Sequence, residues 1–294
     1  MEIERLTGKF IVAVSGGVDS MALLHKLHAD GGDVIVAHFD HGIRPGSQED
    51  REFVEKLAAS YGLPFVFERV ELGEGASEAL ARDARYAFLK RVKNNYGADA
   101  IITAHHQDDV LETAILNLSR GTGRRGLTSL ASTNDLKRPL LNITKLQLLA
   151  YAKEHKLAWR EDSTNLDQKY LRNYIRHTVV PRFSSQERQQ FLQYINNLRE
   201  VNLELDKNLL EQLDERSEDN RLTKSALTSL PDEIAKEILI TWWRKNGFTS
   251  YESKTLKRAL TDCRNGKTGA IIPLKHGYYI TVGRAELALN KSER

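Results

Sequence analysis

The apolar run FIVAV at residues 10–14 leads without a spacer into SGGVDS at 15–20, and that hexapeptide leads at once into MALLHKL. A buried strand, a tight polar loop and a helix are thus compressed into fewer than twenty residues, and few folds accommodate that. Gly16 and Gly17 let the backbone turn sharply and come close to a ligand with no Cβ in the way. Ser15, Ser20 and the loop amides supply donors, and a helix starting here adds unpaired N–H groups and the positive end of its dipole. Val18 and Asp19 complete the loop, with Asp19 a candidate N-cap or partner for a cation. The stretch predicts a phosphate-binding loop at the end of a parallel strand.

It is not one of the commoner phosphate loops. G-x-x-x-x-G-K-[ST] is absent, because the GKT at 266–268 has Thr261 where the first glycine belongs. No G-x-G-x-x-G follows a strand, and Ala13 replaces the first glycine of a G-x-S-x-G elbow.

The rest of the first half repeats the alternation. DVIVAHF (33–39), PFVFERV (64–70) and DAIITAH (99–105) read as buried strands, with helical patterns between them that stop at Gly62 and Gly97. Strand–helix–strand at this spacing predicts an α/β fold, a doubly wound parallel sheet followed by a mainly helical second domain. The domains are expected at 1–183 (catalytic) and 184–294 (a long helix over 184–216 and a smaller C-terminal part). Short strands are expected at the end of the chain.

Composition excludes several classes. At 294 residues, 40% hydrophobic and 28% charged, the chain has ordinary globular content, and no apolar stretch approaches the ~20 residues of a membrane helix. The one cysteine, Cys263, rules out a disulfide framework and cysteine-only metal clusters. A net charge of +3 does not by itself identify a nucleic-acid partner. MEIERLTGKF does not read as a signal peptide, and the expected compartment is the cytoplasm.

Doubly wound folds bind ligands where their strands end, and here those ends carry titratable and basic side chains. After the second strand, HFDHG places Asp40 beside His38 and His41. After the fourth, AHHQDDVLET places His105 and His106 before Asp108, Asp109 and Glu112. Asp109 and Glu112 share a helix face and suit Mg²⁺ or a cationic substrate. SRGTGRRGL (119–127) carries Arg120, Arg124 and Arg125, and YLRNYIR (170–176) puts Arg172 and Arg176 one turn apart with Asn173 beside them. Lys137, Arg138 and Lys145 read as a solvated face. Trp159, Tyr170 and Tyr174 read equally as base-stacking or core residues, and Trp242 and Trp243 as core.

SGGVDS after the first strand resembles the loop of the PP-loop, or N-type, ATP pyrophosphatases. Together with HFDHGIRPGSQED, ARDARYAFL, AHHQDDVLET, SRGTGRRGLTSL and the stretch from RPLLNITK to HTVVP, in order over about 9–183, the chain resembles the tRNA(Ile)-lysidine synthase family in a compact form without the extra C-terminal domain of longer members. The resemblance implies a cytoplasmic ligase that forms a carbon–nitrogen bond. It would adenylate the wobble cytidine C2 oxygen of tRNA-Ile with a CAU anticodon and let free L-lysine displace AMP, giving lysidine. It implies ATP and Mg²⁺ as cofactors and a tRNA-binding second domain, and it leaves a homodimer open. Residues 15–20 and His38 would bind ATP. Asp40, Asp109 and Glu112 would divide lysine binding, base work and metal binding (Asp109 and Glu112). His105, His106, Arg120, Arg124, Arg125, Arg172, Asn173 and Arg176 would bind substrate. Another adenylating PP-loop synthetase, acting on a small metabolite, is the alternative.

Overall fold

β1 (Lys9–Ala13) is the strand on which the first half is built, because it has a parallel neighbour on each side. The computed structural model describes residues 1–42, 47–71, 73, 77–160, 171–249 and 251–292. Parts of two motifs, residues 43–46 and 161–170 with Tyr170, lie outside the described residues. The chain forms two compact units, 1–196 and 197–294.

In the first unit β1 is followed by α1 (Val18–Ala29), β2 (Asp33–Asp40), α2 (Ser47–Ser60), β3 (Phe65–Arg69), α3 (Glu78–Tyr96), β4 (Ala100–Ile102), α4 (Gln107–Ser119), α5 (Arg124–Leu127), β5 (Leu136–Lys137), α6 (Lys145–Glu154) and α7 (Leu171–Tyr174). The five strands are all parallel, in the order β3-β2-β1-β4-β5. Pairing runs outward from β1, with Phe10 opposite Val34 on one side and Ala100 on the other. The direction of winding therefore reverses at β1, and the crevice between the ends of β1 and β4 is where such a sheet takes its ligand.

Alternate residues of β1 face opposite layers. Phe10 and Val12 join Val34, Val36 and Ile102 beneath α1, α2 and α6, while Ile11 joins Ile35, Ala37 and Ile101 beneath Phe88, Leu89 and Val92 of α3. Both faces are covered, which is why the strands read as unbroken apolar runs. Gly62 and Gly97 end α2 and α3 as the sequence predicts, with φ of +66° and +58°.

α8 (Ser185–Asp214) is 30 residues long. The boundary between units falls inside it, after residue 196, whereas the sequence reading placed a domain edge at 183/184. Phe191, Leu192 and Ile195 pack with Val110 and Ala114 in the first unit, and Leu209 and Leu213 pack in the core of the second. That core is closed by α9 (Ser225–Thr228), α10 (Asp232–Lys245), α11 (Ser253–Asn265) and an antiparallel sheet of β6 (Ser217–Glu218), β7 (Arg221–Thr223), β8 (Ile271–Pro273), β9 (Tyr278–Val282) and β10 (Glu286–Lys291). Trp242 and Trp243 are both fully buried, as is Cys263, whose thiol burial pushes up to about 12, so it is no nucleophile. Gly266 of the GKT triplet is simply the C-cap of α11, where a Cβ would stand 2.5 Å from the Asp262 carbonyl oxygen. No helix among the described residues is long and apolar enough to cross a membrane.

Leu24 of α1 has no exposed surface and lies between the sheet and its covering helices. Leu24→Ala is expected to cost about 2–5 kcal/mol, read as a lower urea midpoint with an unchanged slope.

Candidate active site

The loop after β1 is braced from within. Ser20 Oγ donates to the Gly17 carbonyl at 2.9 Å and accepts the Ser15 N–H at 3.2 Å, so this buried hydroxyl sets the loop's shape. Ser15 stays exposed, its Oγ 3.3 Å from that of Ser20. The two glycines have different causes. Gly16 has φ +93°, which an L side chain rarely adopts, whereas Gly17 has an ordinary φ of −73°. A Cβ on Gly17 would meet nothing closer than Ser15 Oγ at 3.6 Å. The fold alone does not require glycine at 17, and the space in front of it is open. The same residue is the N-cap of α1 and offers no side-chain cap, unlike Ser77, His106 and Thr144 at the starts of α3, α4 and α6. The first-turn N–H groups of α1 therefore face the cradle, and this arrangement fits an anionic phosphate chain.

Two contacts fasten the loop from outside. The His38 ring at the end of β2 donates from Nδ1 to the Val14 carbonyl at 2.9 Å, and burial keeps the imidazole neutral. His38 thus supports the loop through the chain itself. Arg160 donates its backbone N–H to the Gly16 carbonyl at 3.0 Å while its guanidinium pairs with Glu49 at 2.7 Å and Asp50 at 2.5 Å on α2.

Beside the loop, Asp19 receives both bonds of Lys145 Nζ, at 2.6 and 2.8 Å. The sequence reading set Lys145 on a solvated face; the fold of the 138–145 segment brings it into the site, at the first position of α6 behind the Thr144–Gln147 capping box. Burial alone would raise the Asp19 carboxyl, but His106, 3.6 Å away, and Lys145 outweigh it and hold the carboxyl below its usual range.

His106 is the hinge of the other half-site. It is the N-cap of α4: Nδ1 accepts the Asp108 N–H at 3.2 Å, and its own backbone N–H goes to Asp109 at 2.9 Å. With Nδ1 accepting, the proton sits on Nε2, which lies 3.6 Å from carboxylate oxygens of both Asp19 and Asp109. Burial opposes a charge on this ring, yet the two carboxylates prevail and raise its pKa. His105 differs. Burial drives it down to about 3, so the ring is neutral, held at 2.8 Å by Thr103 Oγ1.

The two arginines of YLRNYIR, expected from the sequence to face substrate, reach these acids instead. Arg176 binds Glu112 through Nε at 2.7 Å and Nη2 at 2.8 Å and touches Asp109 at 3.2 Å. Arg172 lies 3.5 Å from Glu112. Arg176 stands in a π-helical turn, Ile175–Val179, a local widening often found at functional sites. Glu112 is 2% exposed, and the two-pronged guanidinium of Arg176 satisfies both of its oxygens at that depth. Burial would raise Asp109, but the two histidines, the His106 N–H and Arg176 hold it low. This pair, read from the sequence as magnesium ligands, does not fit a magnesium ion as it stands. Both Glu112 oxygens receive Arg176, and among the described residues no three acids, histidines or cysteines are grouped to hold a metal.

Not all predicted residues meet here. Asp40, at the end of β2, accepts the Gly42 N–H at 2.9 Å and faces Arg69 at 3.8 Å. β1 separates β2 from β4, so Asp40 and the α4 acids flank the phosphate loop across two strand spacings, about 10 Å. Arg120 is exposed at the far end of α4, about 16 Å along the helix from Asp109. Arg124 and Arg125 sit on α5, tied to that same end by Asn117. Asn173 lies on α7 between the two site arginines, Tyr174 is 44% exposed, and Trp159 is half-buried against the core under α1.

Residues 3–183 match the PP-loop domain family. The tRNA(Ile)-lysidine synthase of Thermus thermophilus is 46% identical over 178 residues, covering 58% of this chain and 35% of that protein. That of Francisella tularensis subsp. holarctica is 30% identical over 290 residues, 95% of this chain and 73% of the relative. The chain spans about a third of the length of the Thermus relative. Among solved structures, the U34-tRNA thiolase NcsA from Methanococcus maripaludis, with its [4Fe-4S] cluster, superposes with a TM-score of 0.51 at 16% identity, over 67% of this chain and 74% of that one; the two share a fold.

His105 gives a pH signature. Its folded pKa lies below the ordinary 6.5, so below pH 6.5 the unfolded chain binds a proton that the native ring refuses. Its contribution to stability is complete above pH 6.5 and falls as the pH drops toward 3. Between pH 6.5 and 5, His105→Gln is expected to lose less stability than wild type, by on the order of 1 kcal/mol in denaturant titrations. Parallel curves for the two proteins would show that the ring is not held neutral.

Proposed function

The chain belongs to the PP-loop family and, within it, to the tRNA(Ile)-lysidine synthases; on that premise we propose that it is an ATP-dependent ligase that converts the wobble cytidine of a CAU-anticodon isoleucine tRNA to lysidine. One observation supports this reading above others. The phosphate loop after β1 and the charged turn of α4 after β4 stand side by side where the sheet reverses its winding. A nucleotide's phosphates and a cationic co-substrate can thus be held within one crevice.

In this reading the triphosphate lies on the α1 N-terminus, in the cradle in front of Gly17, within reach of the exposed Ser15 hydroxyl. Lys145, which neutralises Asp19 in the free protein, stands beside the phosphates. The cytosine C2 oxygen attacks the α-phosphorus, the bond to the β-phosphate oxygen breaks, and pyrophosphate leaves. The ε-amine of lysine then adds to C2, and the C2–O bond breaks to release AMP. Lysine arrives as an ammonium, with an ordinary pKa of ~10.4, and must lose a proton before it can attack. Asp109, held ionised, suits the binding of that ammonium better than the removal of its proton. Asp40, about 10 Å away across the loop and paired only loosely with Arg69, is too far to reach an ammonium on Asp109 and is proposed to take the proton once the amine has moved over to C2. Arg172 and Arg176 hold the α4 acids in place. Magnesium would travel on the phosphates of ATP, as it commonly does. The anticodon loop offers an unpaired base that leaves its stack at modest cost. A cytoplasmic setting follows from these substrates.

The test is AMP release from ATP by the purified chain with free lysine and the isoleucine tRNA, with methionine tRNA of the same anticodon as control. Release that needs both lysine and the isoleucine tRNA, with the mass of lysine less water added at the wobble cytidine, is expected. Release without any tRNA would overturn the tRNA substrate and favour a small-metabolite synthetase. Asp40→Ala and Asp109→Ala are each expected to lower the rate by about 10²-fold or more while remaining folded. Gly17→Ala should keep its melting temperature, because its Cβ fits the protein, and weaken ATP binding at least tenfold, because the Cβ fills the cradle. Unchanged ATP affinity in that variant would place the triphosphate elsewhere.

A further inference from the structure

Gly16 owes its glycine to a φ of +93°, but that angle does not fix the peptide plane that follows it. The Gly16 carbonyl and the Gly17 N–H belong to one planar trans unit, so they point in opposite directions. Whatever holds the carbonyl therefore decides where the N–H is presented. With glycine on both sides of the bond, no Cβ resists rotation of this plane. Turned over, it would set a carbonyl oxygen against the phosphates. The bracing by Ser20 engages the Gly17 carbonyl and the Ser15 N–H, and so leaves this plane to another partner. The Gly17 N–H is directed at the exposed Ser15 Oγ from 3.5 Å. That is longer than the about 2.7–3.2 Å of an ordinary N–H···O bond, so the donor is weakly engaged on the open side of the loop.

The partner comes from the segment after α6. Arg160 donates its backbone N–H to the Gly16 carbonyl at 3.0 Å. A backbone donor is only as well placed as its own residue, and the Arg160 side chain ties that residue to the first turn of α2. Nη2 pairs with Glu49 at 2.7 Å and Nε with Asp50 at 2.5 Å. α2 also packs close to the loop, because a Cβ on Gly16 would stand 3.6 Å from Val54 and 3.9 Å from Phe53. The loop, α2 and the segment after α6 thus meet at Arg160. The Arg160 and Glu49 side chains are 41% and 67% exposed. Pairs this exposed are screened by solvent and add little to folding stability, so their loss can be read on the loop instead of on the melting temperature.

We propose that Arg160 is a positioning residue for nucleotide binding: its backbone N–H, held in place by the brace to Glu49 and Asp50, locks the Gly16–Gly17 peptide with the Gly17 N–H facing the phosphates. A phosphate oxygen then takes that N–H in place of Ser15 Oγ. Arg160 touches no substrate in this role; it acts through Gly16. The proposal rests on the reading of the loop as the ATP site.

The experiment uses the full chain as wild type, Arg160→Ala, Arg160→Lys and the double variant Glu49→Gln, Asp50→Asn. ATP binding is measured by calorimetry without RNA. Arg160→Ala and the double variant are each expected to weaken ATP at least fivefold at an unchanged melting temperature, and Arg160→Lys to recover part of the loss. In turnover the loss falls on KM for ATP, with kcat and KM for lysine within twofold of wild type. With ¹⁵N-glycine labelling, the Gly17 amide resonance is expected to shift in Arg160→Ala before any ligand is added, which a role in packing alone would not produce. ATP affinities within twofold of wild type in Arg160→Ala and the double variant would overturn the proposal, as would an unmoved Gly17 resonance. Should Arg160→Ala not fold, the double variant, altered on α2 alone, decides on the same two readouts. Lysidine formation by wild type, measured alongside, separates the two claims. Product, with ATP affinity unchanged in the variants, would remove the positioning role alone. No product, with ATP affinity lost in the variants, would remove the tRNA reaction and keep the role. A wild type that binds no ATP would overturn both.

Discussion

Everything in the site follows from β1 having a parallel strand on each side. Because the chain winds one way from β1 to β3 and the other way to β4 and β5, the connections leaving β1 and β4 diverge and open a crevice. The loop into α1 lines one wall and the turn into α4 lines the other. Burial of both faces of β1 fixes this arrangement, since any shift in register would carry Ile11 and Val12 into the wrong layers.

Charge is then arranged in matched steps across the crevice. Lys145 sits on Asp19, His106 bridges Asp19 and Asp109, and Arg176 holds Asp109 and Glu112. Each carboxylate in this row has a cationic or N–H partner, as burial demands. The row ends in Lys145 beside the proposed phosphates, so a ligand that draws this ammonium away would be felt at His106 and Asp109.

Much of the site was legible because its signals are local. SGGVDS reports its own geometry: a braced serine, one glycine with positive φ and one with an empty space in front of it. The i, i+3 spacing of Asp109 and Glu112 and the i, i+4 spacing of Arg172 and Arg176 place each pair on one face before any fold is known. Lys145 and Arg160 were not legible. Each acts on a residue more than a hundred positions away, and in sequence each looks like an ordinary surface cation. Likewise the sequence grouped Asp40 with the α4 acids because all end strands, and only the strand order shows that β1 lies between them.

By itself, the amino-acid sequence determined the alternation of strand and helix, the phosphate loop and the charged turns at strand ends, because hydrophobic period, glycine placement and helix spacing act over a few residues. Tertiary structure alone decided which of those turns are neighbours and which charges neutralise which. It closed Glu112 under Arg176 and seated Lys145 on Asp19. Those outcomes depend on strand order and burial, and buried charges take whatever partner the packed chain brings within reach.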